Sequence, residues 1–103
     1  MIKTTLLALL FIFSLPSQSQ IVVSGKITAG ETGLPLQGAS IFADNTTLGT
    51  ASDADGNYTL YLPKGGYDLV VTFTGYSTVS KRISSSDASE KQNFELRLKE
   101  KEL

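Results

Sequence analysis

The sequence predicts an all-β domain, a seven-stranded antiparallel Greek-key sandwich, on three observations. Apolar and polar residues alternate with period 2 in segment after segment, and helical periodicity is absent. Turn residues recur at spacings of about 8–12 positions, as in sandwiches built from short strands. The alternation is one-sided, which suits antiparallel sheets with one face on a core and one in water.

Before the first strand lies a segment of different character. Lys3 supplies a short positive region, Leu6 to Leu15 form an apolar run, and Pro16-Ser17-Gln18-Ser19 offers small residues for cleavage after Ser19. That is the build of a secretory signal peptide. Ten residues of helix rise about 15 Å, half of a ~30 Å hydrocarbon core, so the run is short for a membrane span. The expected organisation is a signal peptide over 1–19, a β-sandwich over 20–98 and a charged tail or linker over 99–103.

In the first strand Val23, Gly25, Ile27 and Ala29 share the inward face, opposite Val22, Ser24, Lys26 and Thr28. Pro35 then bars Leu34-Pro35-Leu36 from a central ladder, because it has no backbone donor. A second strand turns Ala39, Ile41 and Ala43 inward and Ser40 and Phe42 outward; Asp44-Asn45-Thr46-Thr47 turns the chain into a short third strand near Leu48 to Ser52. The fourth alternates Tyr58, Leu60 and Leu62 with Thr59 and Tyr61, and Pro63-Lys64-Gly65-Gly66 connects it to the fifth. Tyr67, Leu69, Val71 and Phe73 make the cleanest inward face; Val79 and Ile83 mark a weaker strand, and Ser84 to Glu90 read as a solvated loop. Phe94, Leu96 and Leu98 close the set as the inward residues of the last strand.

Composition removes most chemistry. The 103 residues include no cysteine, histidine or tryptophan, so thiol nucleophiles, disulfides and the commonest general base and metal ligand are missing. Nine basic against ten acidic residues, a formal charge of −1, give no footprint for nucleic acid. Ser84-Ser85-Ser86 has no histidine to activate it. The expectation is no enzyme, no catalytic residue and no cofactor.

One stretch, "SDADGNYTLYLP" over 52–63, looks like a calcium loop at first sight. With Asp53 and Asp55 at the first and third ligand positions Asn57 falls at the fifth, but Gly56 then comes too early and Lys64 stands where a bidentate glutamate belongs. The better reading is a hairpin turn, with Asp and Asn side chains bonding nearby backbone donors and Gly56 supplying a conformation that a Cβ penalises. Lys26 with Asn93 or Asp68 suggests an isopeptide crosslink, but Lys26 falls on an outward face and reads as a solvated edge residue. Phe42 and Tyr61, outward on what look like adjacent strands, and Tyr76 in a bend, are candidate contact residues for a partner domain or a glycan.

Residues 23–76, from Gly25-Lys26-Ile27 through Thr32-Gly33, Gly38-Ala39-Ser40-Ile41, Thr47-Leu48-Gly49-Thr50 and Asp55-Gly56-Asn57-Tyr58-Thr59-Leu60 to Phe73-Thr74-Gly75-Tyr76, carry a family resemblance. In this order they resemble the carboxypeptidase regulatory-like domain, a small transthyretin-like (prealbumin-like) sandwich of secreted and outer-membrane proteins in Bacteroidetes. The resemblance implies a non-catalytic module, often placed at the N-terminus of TonB-dependent outer-membrane receptors. It implies a periplasmic location at the outer membrane after export. Partners would be neighbouring receptor or periplasmic domains, with no nucleic acid and no membrane span after cleavage. The alternative is a carbohydrate-binding module using Phe42, Tyr61 and Tyr76.

Overall fold

A computed structural model describes residues 20–84 and 91–100; the expected signal peptide, most of the 84–90 loop and the last three residues lie outside the described residues. Seven strands follow in order: β1 (Gln20–Ala29), β2 (Ser40–Ala43), β3 (Gly49–Ala51), β4 (Asn57–Pro63), β5 (Tyr67–Thr72), β6 (Val79–Ile83) and β7 (Phe94–Leu96). They form two sheets of a sandwich, a three-stranded one in the order β4-β1-β7 and a four-stranded one in the order β3-β2-β5-β6.

The period-2 pattern places the core. Ile21, Val23, Ile27 and Ala29 of β1 and Tyr58, Leu60 and Leu62 of β4 are buried on one side of the interior. Ala39, Ile41, Ala43, Leu69, Val71 and Ile83 meet them from the other sheet, and Phe94 and Leu96 complete the cluster. Burying each long apolar side chain contributes about 1.5–3 kcal/mol. A chain of this length with no disulfide depends on them.

Three features depart from the sequence reading. First, the sandwich is not antiparallel throughout: β7 runs parallel to β1, pairing Ile27 with Phe94 and Ala29 with Leu96. A parallel partner requires a crossover, and here the chain returns by way of β5 and β6 in the opposite sheet. Second, the 52–57 bend is not a hairpin. β3 pairs with β2 and β4 pairs with β1, so this bend carries the chain from one sheet to the other. Third, Leu98 is 53% exposed rather than inward. After Leu96 the chain leaves β1 and runs beside the β5–β6 connection, with Ser77 N–H donating to Arg97 C=O and Lys99 N–H to Gly75 C=O. The segment after Pro35 behaves as its chemistry demands: Leu36 N–H returns to Ile27 C=O, and Pro35 sits opposite Thr28 in a single bridge.

Candidate functional site

The inter-sheet bend is built by its own polar groups. Asp53 Oδ1 accepts the N–H groups of Asp55 and Asn57, each at 2.9 Å. Gly56 N–H closes onto Asp53 C=O, and Asp53 N–H reaches Asn57 C=O. Gly56 has φ +81°, and a Cβ there would lie 2.6 Å from Ile27 C=O. The same glycine accepts the Ile27 N–H, so the bend is bonded to β1. Asp53 thus serves the backbone that carries it. Among the described residues no three aspartate, glutamate, histidine or cysteine side chains gather to hold a metal ion.

Two buried polar side chains join elements that the alternation leaves unconnected. Ser52 Oγ accepts Ala39 N–H at 2.9 Å and donates to Leu36 C=O at 2.5 Å, tying the approach to β2 to the end of β3. Gln92 sits where the chain enters β7. Its N–H donates to Ser24 C=O, its C=O accepts the Tyr58 hydroxyl, and its Oε1 accepts Lys81 Nζ at 2.6 Å from the opposite sheet. Burial pushes the Tyr58 hydroxyl pKa up, so it stays a donor through the neutral range. Period-2 alternation marks neither Ser52 nor Gln92. Each is a polar residue beside a turn, and no single-sequence signal separates a buried one from a wet one.

The candidate contact residues are not brought together. Phe42 lies half-buried on the four-stranded sheet, while Tyr61 is 58% exposed on the three-stranded one, so the two rings face opposite outer sides. The adjacency expected of their strands does not hold. Tyr76 is half-buried with its ring 5.6 Å from that of Phe73. Lys26 is exposed, and its backbone N–H donates to Asn93 Oδ1 at 2.9 Å. Asp68 belongs to β5 in the other sheet, beside Arg82 at 3.5 Å. The crosslink geometry is therefore not assembled.

A shallow open depression of about 440 Å³ lies at one end of the four-stranded sheet, lined by Ser40, Thr72, Thr74, Tyr76, Thr78 and Lys99 among others. On the three-stranded side Glu31 Oε2 accepts Leu98 N–H at 3.1 Å. That bond, with help from the Glu31 backbone and from Arg97, holds the Glu31 carboxyl below the usual carboxylate range. Hydroxyls, one lysine, one tyrosine and Phe73 line the depression. Among the described residues that line it there is no aspartate, glutamate or histidine.

Known proteins resemble this chain in the same terms. Two TonB-dependent receptors of Formosa agariphila are 35% identical over 63 residues and 38% identical over 72, covering 61% and 70% of this chain. The TonB-dependent receptor SusC of Bacteroides thetaiotaomicron is 44% identical over 57 residues, 55% of the chain. The chain spans only 6–7% of the length of these receptors and resembles their N-terminal regions. Among solved structures, a chain from a type II cohesin–X-dockerin complex of Acetivibrio cellulolyticus superposes with a TM-score of 0.58 at 22% identity, over 72% of this chain and 52% of that one. This similarity supports the sandwich fold alone. The model of the CarboxypepD_reg-like domain matches residues 23–103, most of the chain, and the chain belongs to that family.

Proposed function

We propose that this chain is a non-catalytic structural and interaction module of the bacterial cell envelope. It is exported by the 1–19 leader and held in the periplasm at the outer membrane. Its setting is the N-terminal accessory domain of a TonB-dependent receptor, or a free-standing relative of that domain. Its fold is a transthyretin-like Greek-key sandwich whose last strand runs parallel to the first. The family match over 23–103, joined to receptor relatives at 35–44% identity, carries this reading.

The geometry supports it from within. The buried polar side chains Ser52 and Gln92 are engaged in holding loops to strands, and the Tyr58 hydroxyl is engaged with Gln92. Such a domain works by rigidity and by its outer surfaces: it spaces or docks its neighbours. Expression of the chain with its own leader in a bacterial host, followed by cell fractionation and N-terminal sequencing, tests the setting. The expected product starts at Gln20 and fractionates with the periplasm or outer membrane. An uncleaved cytosolic product would overturn the reading.

The depression supports a second reading, glycan binding, because Tyr76 stands there beside several hydroxyls. Glycan-array binding that is lost on Tyr76→Ala would establish it. Tyr61 and Phe42 face away from each other and share no platform with one another.

A further inference from the structure

After Leu96 the chain leaves its place beside β1, and its new course brings one cation to a patch of hydroxyls. Arg97 C=O accepts Ser77 N–H at 2.8 Å, Lys99 N–H donates to Gly75 C=O at 3.0 Å, and Leu98 forms a single bridge with Tyr76. These backbone bonds hold Lys99 at the open depression at the end of the four-stranded sheet.

The rest of the lining comes from that sheet and the turn after it. Ser40 of β2 and Thr72 of β5 are cross-strand partners, neither of them buried, and so stand side by side on the outer face. Tyr76 N–H closes the next turn onto Phe73 C=O at 2.9 Å, with Gly75 at φ +87°. This turn carries Thr74 and sets the Tyr76 ring against that of Phe73, centroids 5.6 Å apart; Thr78 then leads into β6. Among the described residues, no hydrogen bond or ion pair engages the side-chain hydroxyls of Ser40, Thr72, Thr74, Tyr76 and Thr78 or the Lys99 ammonium. By contrast Thr46, Ser52, Tyr58 and Tyr67 each donate to a backbone carbonyl, and Lys81 donates to Gln92. The groups at the depression are free to bond a ligand.

We infer that this depression binds an anionic sugar, a saccharide ring bearing a carboxylate or a sulfate ester. The inference rests on the glycan reading above and adds the charge. A hydroxyl both donates and accepts, so the lining matches the mixed donors and acceptors of a polyol. The anion only accepts and the Lys99 ammonium only donates, and no aspartate or glutamate among the described lining residues repels the one or neutralises the other. The Tyr76 ring, braced by Phe73, offers an apolar face to the C–H side of the sugar. The volume of about 440 Å³ falls within the range of about 300–1,000 Å³ usual for small-molecule sites. An exposed ion pair contributes little, so the preference for an acidic over a neutral sugar should be about two- to fivefold.

Amide chemical-shift titration of the purified chain tests it, with tetragalacturonate, a sulfated galactan tetrasaccharide and neutral galactotetraose as probes. An acidic sugar should shift Thr72, Thr74, Tyr76, Thr78 and Lys99 with Kd on the order of 1 mM, about two- to fivefold tighter than the neutral one. The tighter of the two acidic probes identifies the anion. Lys99→Gln should remove the preference and leave the neutral sugar's Kd unchanged, Lys99→Arg should keep the preference, and added salt should narrow it. Equal affinity for acidic and neutral sugars would overturn the inference and leave the glycan reading standing. Absence of shifts at the depression with all the probes would overturn both. Shifts of the same size from sodium acetate or sodium sulfate alone would also overturn the inference, since the sugar would then add nothing.

Discussion

In the three-stranded sheet, β1 meets backbone at Gly25: a Cβ there would stand 2.0 Å from Gln92 C=O. In the four-stranded sheet the corresponding contact is side chain against side chain, with Ile41, Leu69 and Val71 fully buried between β2, β5 and the facing sheet. At Gly25 the fit depends on the absence of an atom, and at Leu69 on the presence of several. Interiors are packed as densely as organic crystals, but the two designs yield differently. A side-chain neighbour changes rotamer to absorb a misfit, and a main chain held at both ends by a ladder moves only with its strand. Gln92 is so held, by Ser24 on one side and by the Tyr58 hydroxyl on the other.

The largest effect is expected at Gly25. Gly25→Ala should be the most damaging single-methyl change in the molecule, costing on the order of 4 kcal/mol or abolishing cooperative unfolding, since the neighbour is backbone. Urea denaturation followed by far-ultraviolet circular dichroism measures it. Leu69→Ala comes next, at about 3 kcal/mol, from lost burial and the cavity left behind. If Leu69→Ala proved the costlier of the two, the Gln92 backbone would have to be mobile and the contrast would fail.

Ser52→Ala probes the polar seam between the approach to β2 and the end of β3. It removes the acceptor for the buried Ala39 N–H and the donor to Leu36 C=O. An unsatisfied buried group costs about 1–3 kcal/mol, so a loss near 2 kcal/mol is expected in the same assay. A neutral result would mean that water replaces the hydroxyl and that the seam is open to solvent.

The same contrast explains what was legible in the sequence. Inward faces were, because alternation is local: Val23, Ile27, Ile41, Tyr58, Leu60, Leu69 and Leu96 are buried where period 2 places them. Strand partners were not. Asp53-Ala54-Asp55-Gly56 has turn chemistry whether the flanking strands pair or part, and only contacts far along the chain decide that β3 and β4 belong to different sheets. Leu98 continues the alternation of Phe94 and Leu96, yet the ladder that would bury it ends when Arg97 bonds to Ser77. Gly25 reads as one more inward position in a strand. Its reason, the Gln92 carbonyl, lies 67 residues further along the chain and leaves no trace near it.

The smallest expected effect lies where the last strand leaves the three-stranded sheet. Glu31 Oε2 accepts Leu98 N–H at 3.1 Å, and this bond is the main cause of its lowered pKa. An ionised acceptor is stronger than a neutral one. Because the folded pKa lies below the unfolded value of about 4.3, the contribution is fully present above that value. It disappears as pH falls through the folded pKa. Glu31→Gln keeps an acceptor and removes the charge, so its melting midpoint should fall slightly below wild type at about pH 7 and approach it as pH falls through the folded pKa, where the wild-type carboxyl also becomes neutral. The Glu31 side chain is in water, and the gap should also narrow in added salt. A gap that persists at low pH would assign the stabilisation to side-chain shape rather than charge. It would then leave the Arg97–Lys99 exit held by its backbone bonds to Gly75 and Ser77 alone.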